Sequence, residues 1–268
     1  MENKLKVIYQ IQEVLKKYGY FDIDRISNEI LEYATESNIA IEDILSRISN
    51  YEPWEYICGK ADFYDNTFKI NNSVLIPRIE TEQIIDISKD FLRSNPSYDC
   101  IVDIGTGSGC IIISLAKIFC NKNNFKFIGI DISSKALKIA KENSVLHNVN
   151  ENISFRKDYL LSNHSIENNS LIIANLPYIP TDMYGDLDKS VKDFEPREAL
   201  DGGKDGLKYY RELLEQLEKN NYSKYSVTLL IEIEPSTIEM AEGLFNQYKY
   251  KTIRDYRGLN RFLLIHFS

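Results

Sequence analysis

Residues that commonly build metal sites and disulfides are scarce in this sequence. It has only four cysteines and three histidines among 268 residues. Structural zinc sites typically contain C-x-x-C spacing. This spacing does not occur among Cys58, Cys100, Cys110 and Cys120. We therefore predict no metal site and no disulfides, and we interpret the cysteines as buried thiols.

Long apolar runs and an excess of positive charge are also absent. No apolar run reaches the roughly 20 residues that span a bilayer, and the charged, amphipathic start of the chain does not resemble a signal peptide. We therefore expect a cytoplasmic protein with no membrane partner. The net charge of -8 does not favour direct binding of nucleic acid, which usually contacts a basic surface, although a local basic patch is compatible with an acidic total.

Neither of two common phosphate-binding loops is present. No G-x-x-x-x-G-K-[ST] segment occurs, and the glycines at Gly105, Gly107 and Gly109 do not fit G-x-G-x-x-G because Cys110 takes the last position. Three alternating glycines instead allow the backbone to approach a ligand closely. The loop therefore predicts a ligand site without the geometry that holds a pyrophosphate.

The apolar content of 43% is sufficient for one large domain and one small domain. Over residues 1–52 the apolar side chains recur at helical spacing. We predict a small helical bundle in which Ser27 and Asn38 begin helices. The bundle is either a scaffold or a substrate-docking domain, and we favour docking.

Residues 53–80 are rich in aromatic side chains and contain short alternating runs that are interrupted at Gly59 and at residues 71–72. This pattern predicts a β-hairpin that links the two domains. Arg78 and Glu80 are either site residues or members of a linker ion pair, and the sequence leaves both possibilities open.

Strand and helix patterns alternate through much of residues 81–268, which predicts an α/β domain. Seven strands are expected, and the last two form an antiparallel hairpin, so the sheet should be mixed. The predicted strands cover residues 101–104, 127–131, a run that ends at 158–159, 171–174, 227–233, 251–256 and 261–267.

Two of these strands end in acidic residues. Asp131 comes 22 residues after Gly109, where an acidic side chain commonly binds ribose hydroxyls in nucleoside-binding α/β folds. Asp158 and Tyr159 end the next strand and could bound an adenine ring. The alternative is that all of them are ordinary strand ends and turns.

Asn175, Leu176, Pro177 and Tyr178 follow an apolar strand, at the sheet edge where open α/β folds bind ligands. The Asn175 side-chain oxygen and the Leu176 carbonyl can form two neighbouring acceptors, and Tyr178 adds a flat face. This arrangement suits a planar group that carries an NH2. Two acceptors would bind both N–H bonds and localise the nitrogen lone pair toward an electrophile.

The strand that ends in D-x-G-x-G-x-G, the acidic end of the next strand and the Asn-x-Pro-Tyr motif together resemble the class I S-adenosylmethionine-dependent methyltransferases. The resemblance implies that fold, and it implies S-adenosylmethionine as the cofactor and methyl donor. Methyl transfer of this kind depends mainly on alignment of the nitrogen with the donor. The implied cofactor-binding residues are Gly105, Thr106, Gly107, Ser108, Gly109, Asp131, Asp158, Tyr159 and Asn175.

Further motifs resemble the HemK/PrmC family of peptide chain release factor glutamine methyltransferases. They lie at residues 56–82, 194–200, 202–207 and 255–261, so the resemblance covers nearly the whole chain from about residue 50. It implies methylation of the side-chain nitrogen (N5) of the glutamine in the Gly-Gly-Gln loop of class 1 release factors, which would modulate translation termination. We expect these factors to be the partners of a monomeric enzyme.

The resemblance also implies catalytic and substrate-binding roles for particular residues. The long polar segment 181–205 follows the tetrapeptide and is either a substrate-gripping loop or a disordered insertion. The implied catalytic residues are Asn175, Leu176, Pro177 and Tyr178. The implied substrate-binding residues are these four together with Glu195 and Arg197.

Leu176 departs from the Asn-Pro-Pro-Tyr that is usual in this family, and Asn-Leu-Pro-Tyr resembles the ribosomal RNA adenine dimethylases. The acceptor at this position is a backbone carbonyl, which leucine also supplies, and Pro177 still favours an extended backbone at Leu176. Because Asn-Leu-Pro-Tyr resembles the adenine dimethylases, the alternative function is that of an adenine-N6 methyltransferase that acts on RNA or DNA. A third possibility is a non-catalytic cofactor-binding protein, which the intact Asn175 and Tyr178 disfavour.

Overall fold

The computed structural model describes residues 2–120, 125–166, 168–219 and 225–267. Its first three helices are α1 (Glu2–Lys17), α2 (Ile23–Ser37) and α3 (Ile41–Ser49). Their apolar stripes form a separate core that includes Ile11, Ile30 and Ile44, each fully buried. The predicted helical bundle is confirmed.

The predicted helix starts within this bundle are wrong. Ser27 lies inside α2 and is buried, with its hydroxyl bonded to the Asp24 carbonyl. Asn38 ends α2 in the left-handed conformation, with φ 56°, which asparagine adopts more readily than most residues. Asparagine favours both ends of helices, so the residue type alone did not identify the end.

The linker is a hairpin only in its middle. Helix α4 (Trp54–Cys58) comes first and ends at Gly59, whose φ of 71° lies in the left-handed region. Strands β1 (Lys60–Phe63) and β2 (Asn66–Lys69) then pair antiparallel. The hairpin prediction is confirmed for these strands and wrong for the helical residues before them.

A seven-stranded sheet forms the centre of the rest of the chain. Its order is β5-β4-β3-β6-β7-β9-β8, in which the first five strands are parallel and β9 runs antiparallel to both neighbours. The predicted mixed sheet is therefore confirmed. The strands are β3 (Cys100–Ile104), β4 (Lys126–Asp131), β5 (Ile153–Lys157), β6 (Ser170–Ala174), β7 (Val227–Glu232), β8 (Lys249–Arg254) and β9 (Asn260–Phe267).

Helices cover both faces of this sheet. Alternate residues of a strand point to opposite faces, so Ile101 packs in one core while Val102 and Ile104 pack in the other. The first of these helices was not predicted from the sequence, although its apolar residues Ile84 and Ile85 are followed two turns later by Phe91 and Leu92, and all four are buried. The helices are α5 (Gln83–Ser94), α6 (Cys110–Phe119), α7 (Ser134–Leu146), α8 (Lys189–Phe194), α9 (Lys208–Lys219) and α10 (Ile238–Leu244).

The strand register positions the site. Ile104 lies opposite both Ile130 and Ala174, and Ala174 lies opposite Ile231. The carboxyl ends of β4, β3, β6 and β7 therefore share one edge of the sheet. The segments that follow these strands meet there, as expected for a ligand site of an α/β fold.

The segment 181–205 is folded against this edge. It contains α8, and Ile179 forms a parallel bridge with Asp201. The Ile179 amide donates to the Leu200 carbonyl at 3.0 Å, and the Gly202 amide donates to the Ile179 carbonyl at 2.8 Å. The alternative of a disordered insertion is therefore wrong.

Within the described residues, none of the helices is long and apolar enough to cross a membrane. The same part of the chain contains no group of three or more His, Cys, Asp or Glu residues arranged to hold a metal ion. All four cysteines lie within the described residues and none forms a disulfide; Cys100 and Cys110 are buried, whereas Cys58 and Cys120 are half-buried.

Candidate active site

Asn175 lies directly after β6, between the ends of β3 and β7. Its Nδ2 donates to Thr81 Oγ1 at 3.2 Å and to Glu232 Oε2 at 3.1 Å. An ionised carboxylate accepts hydrogen bonds and does not donate them, so the amide nitrogen faces Glu232 when that carboxylate is charged. The side-chain oxygen of Asn175 is consequently the atom that remains to accept a bond from a ligand.

The Leu176 backbone is held by a buried tyrosine. The Leu176 amide donates to the Tyr210 hydroxyl at 3.2 Å, and that hydroxyl lies 2.5 Å from the Glu232 carbonyl and 3.3 Å from the Leu176 carbonyl. A hydroxyl has one hydrogen, which the shorter distance assigns to Glu232. The Leu176 carbonyl therefore keeps its capacity to accept a hydrogen bond from a ligand.

Tyr178 completes the tetrapeptide and is bonded to the same carboxylate. Its hydroxyl donates to Glu232 Oε1 at 3.3 Å. Burial and the nearby Glu232 carboxylate raise the pKa of Tyr178 well above its usual range, so the phenol stays neutral and remains a donor. The tyrosine is thus fixed at its hydroxyl end beside the two acceptors.

Two glycines of the 202–207 segment lie against the backbone of this tetrapeptide. A Cβ atom on Gly202 would come within 2.6 Å of the Pro177 carbonyl oxygen and 2.7 Å of the Tyr178 Cα. A Cβ on Gly206 would lie 2.2 Å from the Tyr178 carbonyl oxygen. Because neither position carries a side chain, the 202–207 segment can pack directly against the backbone of Pro177 and Tyr178.

We expect Gly202→Ala to lower the turnover number for methyl transfer by roughly 10- to 100-fold, because the new methyl group must displace the backbone of Pro177 and Tyr178. Gly185→Ala is the matched control, since Gly185 has open space around it. Steady-state kinetics of both variants test this prediction. Equal turnover numbers for the two variants would show that the contact with Gly202 does not shape the site.

The glycine loop after β3 closes the other side of the site. The Gly107 amide donates to Asp131 Oδ2 at 2.9 Å. Gly105 approaches the tetrapeptide so closely that a Cβ there would lie 3.1 Å from Leu176 Cδ2. Thr106 and Ser108 are buried, and the Thr106 hydroxyl donates to Asp103 Oδ2 at 2.6 Å. The predicted contacts of these two residues with a ligand would therefore come from their backbone.

Asp131 has the geometry expected of a ribose-binding carboxylate. Each oxygen accepts one backbone amide, from Gly107 at 2.9 Å and from Ser133 at 2.8 Å, which leaves lone pairs on both oxygens for further donors. Burial raises the pKa of Asp131 above its usual value. Together with the open space at Gly107, where only the Gly105 carbonyl lies within 4 Å of an added Cβ, these acceptors fit the ribose hydroxyls of a nucleoside.

Asp158 and Tyr159 have partners within the protein. Asp158 caps its own turn, because its oxygens accept the amides of Tyr159 at 2.7 Å and of Asn163 at 2.8 Å. The Tyr159 hydroxyl donates to Glu212, and its ring is partly buried against the sheet core. A contact between these residues and an adenine ring stays a prediction.

The structure identifies ion pairs for the two linker residues whose role the sequence left open. Arg78 Nη2 lies 2.5 Å from Glu195 Oε1, and Glu195 Oε2 accepts the Ile76 amide at 3.1 Å. Glu80 pairs with Arg257 at 3.1 Å. The linker is thereby joined to the 181–205 segment on one side and to the terminal hairpin on the other.

The residues predicted to grip the substrate have contacts of their own. The Glu195 side chain is 1% exposed and is bonded as described above, whereas Arg197 is exposed and pairs with Asp201 at 2.9 Å. A direct contact of either residue with a substrate stays a prediction. The observed bonds give Glu195 the role of holding the linker against the segment that follows the tetrapeptide.

Sequence reasoning missed three residues that surround Asn175. Thr81 was covered only as part of the motif at residues 56–82, and Tyr210 and Glu232 were assigned no role. Their convergence depends on strand pairing and on long-range packing. The available signal was Glu232 itself, since an acidic residue at the end of an apolar run that predicts a buried strand requires partners.

Glu232 is the central charge of this site. It is 1% exposed at the end of β7. Burial raises the pKa of Glu232 to about 7, while the Thr81 hydroxyl, Arg261 and the Tyr178 hydroxyl act in the opposite direction. The site therefore holds a carboxylate that can exist in both charge states near neutral pH.

A family model and a solved structure each match part of this chain. A family model described as a methyltransferase domain matches residues 97–223. Among solved structures, the hMettl16 catalytic domain in complex with the MAT2A 3'UTR hairpin 6 is similar, with a TM-score of 0.52 and 15% identity over 74% of each chain. This similarity shows the class I methyltransferase fold.

Curated relatives match over much more of the chain. A release factor glutamine methyltransferase from Thermodesulfovibrio yellowstonii is 31% identical over 98% of this chain and 99% of its own length. Proteins of the same name from Dictyoglomus turgidum and Streptococcus pneumoniae are each 34% identical, over 90% and 84% of this chain and 86% and 78% of their own lengths.

Proposed function

The chain belongs to the family of release factor glutamine methyltransferases, and we propose that it methylates the side-chain amide nitrogen (N5) of the glutamine in the Gly-Gly-Gln loop of class 1 release factors. The enzyme is a methyltransferase, and the proposal concerns its acceptor and its donor. In the balanced reaction, a bond forms between the amide nitrogen and the methyl carbon as the S–CH3 bond of the sulfonium donor breaks, the donor leaves as a neutral thioether, and the nitrogen loses one proton to solvent.

The observation that carries the proposal is the pair of acceptors at the end of β6. Asn175 has its nitrogen bound to Thr81 and Glu232, so that its oxygen is directed to a ligand. The Leu176 carbonyl is the second acceptor. A glutamine amide offers two N–H donors in one plane, so these two atoms can hold it while Tyr178 lies against it.

S-adenosylmethionine, bound by the 105–109 loop and Asp131, would supply an electrophilic methyl group. The protein then has to orient the acceptor nitrogen and to exclude competing geometries. Orientation alone can account for a large part of such a rate enhancement. Acceptors that bind both N–H bonds reduce the delocalisation of the nitrogen lone pair and so favour attack by nitrogen.

The leucine at position 176 is compatible with amide methylation. Leu176 is buried, its side chain packs near Gly105, and its amide is bonded to Tyr210. The backbone, which provides the acceptor, is therefore held by contacts that do not depend on a second proline ring. We assign residues 81–268 to catalysis, residues 53–80 to the linker and residues 1–52 to docking of the release factor.

The test is transfer of labelled methyl from S-adenosylmethionine to a purified class 1 release factor. The same factor with its Gly-Gly-Gln glutamine replaced is the matched control, and ribosomal RNA represents the adenine-N6 alternative. We expect label on the intact factor alone. Label on RNA alone would contradict the proposal and would identify the chain as an adenine methyltransferase.

A further inference from the structure

Glu232 is bonded to several parts of the Asn175–Tyr178 tetrapeptide at once. Its two carboxylate oxygens accept from Asn175 Nδ2 at 3.1 Å and from the Tyr178 hydroxyl at 3.3 Å. Its own carbonyl accepts from Tyr210, the residue that holds the Leu176 amide. A single residue of β7 thus contacts Asn175 and Tyr178 directly and is linked to Leu176 through Tyr210.

An asparagine side chain has two nearly isosteric orientations. In one the oxygen faces the ligand, and in the other the NH2 does. Only the first orientation can accept a hydrogen bond from a substrate amide, so a site that binds NH2 needs a device that excludes the second. An ionised carboxylate behind the asparagine is such a device, because the second orientation would place the asparagine oxygen against an acceptor-only group.

We infer that Glu232 is the positioning residue that selects the Asn175 orientation in which the side-chain oxygen faces the substrate. The inference rests on the proposed function for the identity of the substrate. Glu232 does not touch the reacting atoms, and its effect is transmitted through Asn175 and Tyr178.

The surroundings of Glu232 are consistent with this role. Arg261 of β9 favours its charged form, and the Thr81 hydroxyl and the Tyr178 hydroxyl do the same, whereas Glu80 favours its neutral form. Arg261 is held in turn by Asp255 at 2.8 Å. The carboxylate is therefore buried but supplied with donors, as a fixed acceptor must be.

A donor–acceptor exchange tests the inference. Asn175→Asp places two carboxylates side by side, and we expect the turnover number to fall by more than about 100-fold. Glu232→Gln keeps the shape but permits both Asn175 orientations, and we expect a loss of about 10-fold. In the double variant the new glutamine can donate to the new aspartate, whose second oxygen faces the substrate, and we expect activity within about 10-fold of the wild type.

Recovery in the double variant would show that positions 175 and 232 need one donor and one acceptor between them, because two independent structural defects would add or worsen. Glu234→Gln is the matched control, since Glu234 follows the same strand and is half-exposed, and it should retain full activity. A double variant at least as impaired as Asn175→Asp alone would overturn the inference. An inactive wild type on release factor would instead contradict the proposed function.

A second measurement does not depend on the substrate. The side-chain amide signals of Asn175 in nuclear magnetic resonance spectra can be assigned by their loss in Asn175→Asp. We expect Glu232→Gln to shift these signals in the unliganded protein and Glu234→Gln to leave them unchanged. Signals that are identical in the wild type and in Glu232→Gln would refute the bond on which the inference depends, whatever the enzyme methylates.

Discussion

Replacing Asn175 with alanine is expected to lower the turnover number for methyl transfer by roughly 100- to 1,000-fold, the usual effect of removing one preorganised hydrogen-bonding group from an active site. The variant loses one of two acceptors for the substrate amide and leaves Glu232 without one of its donors. Binding of S-adenosylmethionine should be largely retained, because the 105–109 loop and Asp131 remain. Single-turnover kinetics and calorimetric binding of the donor separate the two effects.

Asn152→Ala is a suitable control for this experiment. Asn152 is exposed and directly precedes β5, at the edge of the sheet opposite the site. We expect wild-type turnover in this variant. If Asn175→Ala binds the donor and transfers methyl groups at the wild-type rate, Asn175 is not the residue that holds the acceptor amide.

Replacing Arg78 with alanine is expected to reduce the free energy of unfolding by about 3 kcal/mol, because it leaves a buried carboxylate without its cation. Among the described residues, the Ile76 amide would be the one remaining hydrogen-bond partner of the Glu195 carboxylate. The linker would also lose its attachment to the 181–205 segment, so transfer activity should fall as well. Urea-induced unfolding with a linear extrapolation measures the stability difference.

Arg197→Ala is the matched control for stability, because its pair with Asp201 is exposed. Exposed pairs contribute at most about 1 kcal/mol. Equal losses of stability in Arg78→Ala and Arg197→Ala would mean that burial of Glu195 does not make its ion pair more important than a surface pair.

The sheet could be predicted because its central strands are buried on both faces. All five residues of β6 and all six of β7 are buried, so both strands read as short apolar runs between turn residues. The same apolar signal predicted β3, and the alternating glycines predicted the loop that follows it. Local sequence was sufficient here because burial on both sides leaves little choice of residue type.

Other elements were predicted less well, for physical reasons that differ. Helix α4 contains aromatic residues that favour strands, yet Pro53 precedes it and Gly59 ends it in a left-handed conformation, so the flanking residues outweighed propensity. The apolar residues of helix α5 do recur at helical spacing, so this helix could have been predicted from the sequence. Asn38 is compatible with either end of a helix.

The residues proposed to contact the substrate were predicted from the sequence, whereas the residues that hold them in place were not. The four residues from Asn175 to Tyr178 are contiguous and follow a strand, so their position at the ligand edge follows from sequence. Glu232 comes 57 residues after Asn175 and Thr81 precedes it by 94. Only the pairing of β6 with β7 and the fold of the linker bring these side chains together.

The proposed function is tested most directly by tandem mass spectrometry of a class 1 release factor after incubation with the enzyme and S-adenosylmethionine. We expect one added methyl group, on the side chain of the Gly-Gly-Gln glutamine, and at least about 100-fold less of this product when Asn175→Ala is used for the same time. A methyl group on any other residue, or an unmodified factor beside an enzyme that binds the donor, would contradict the proposed function.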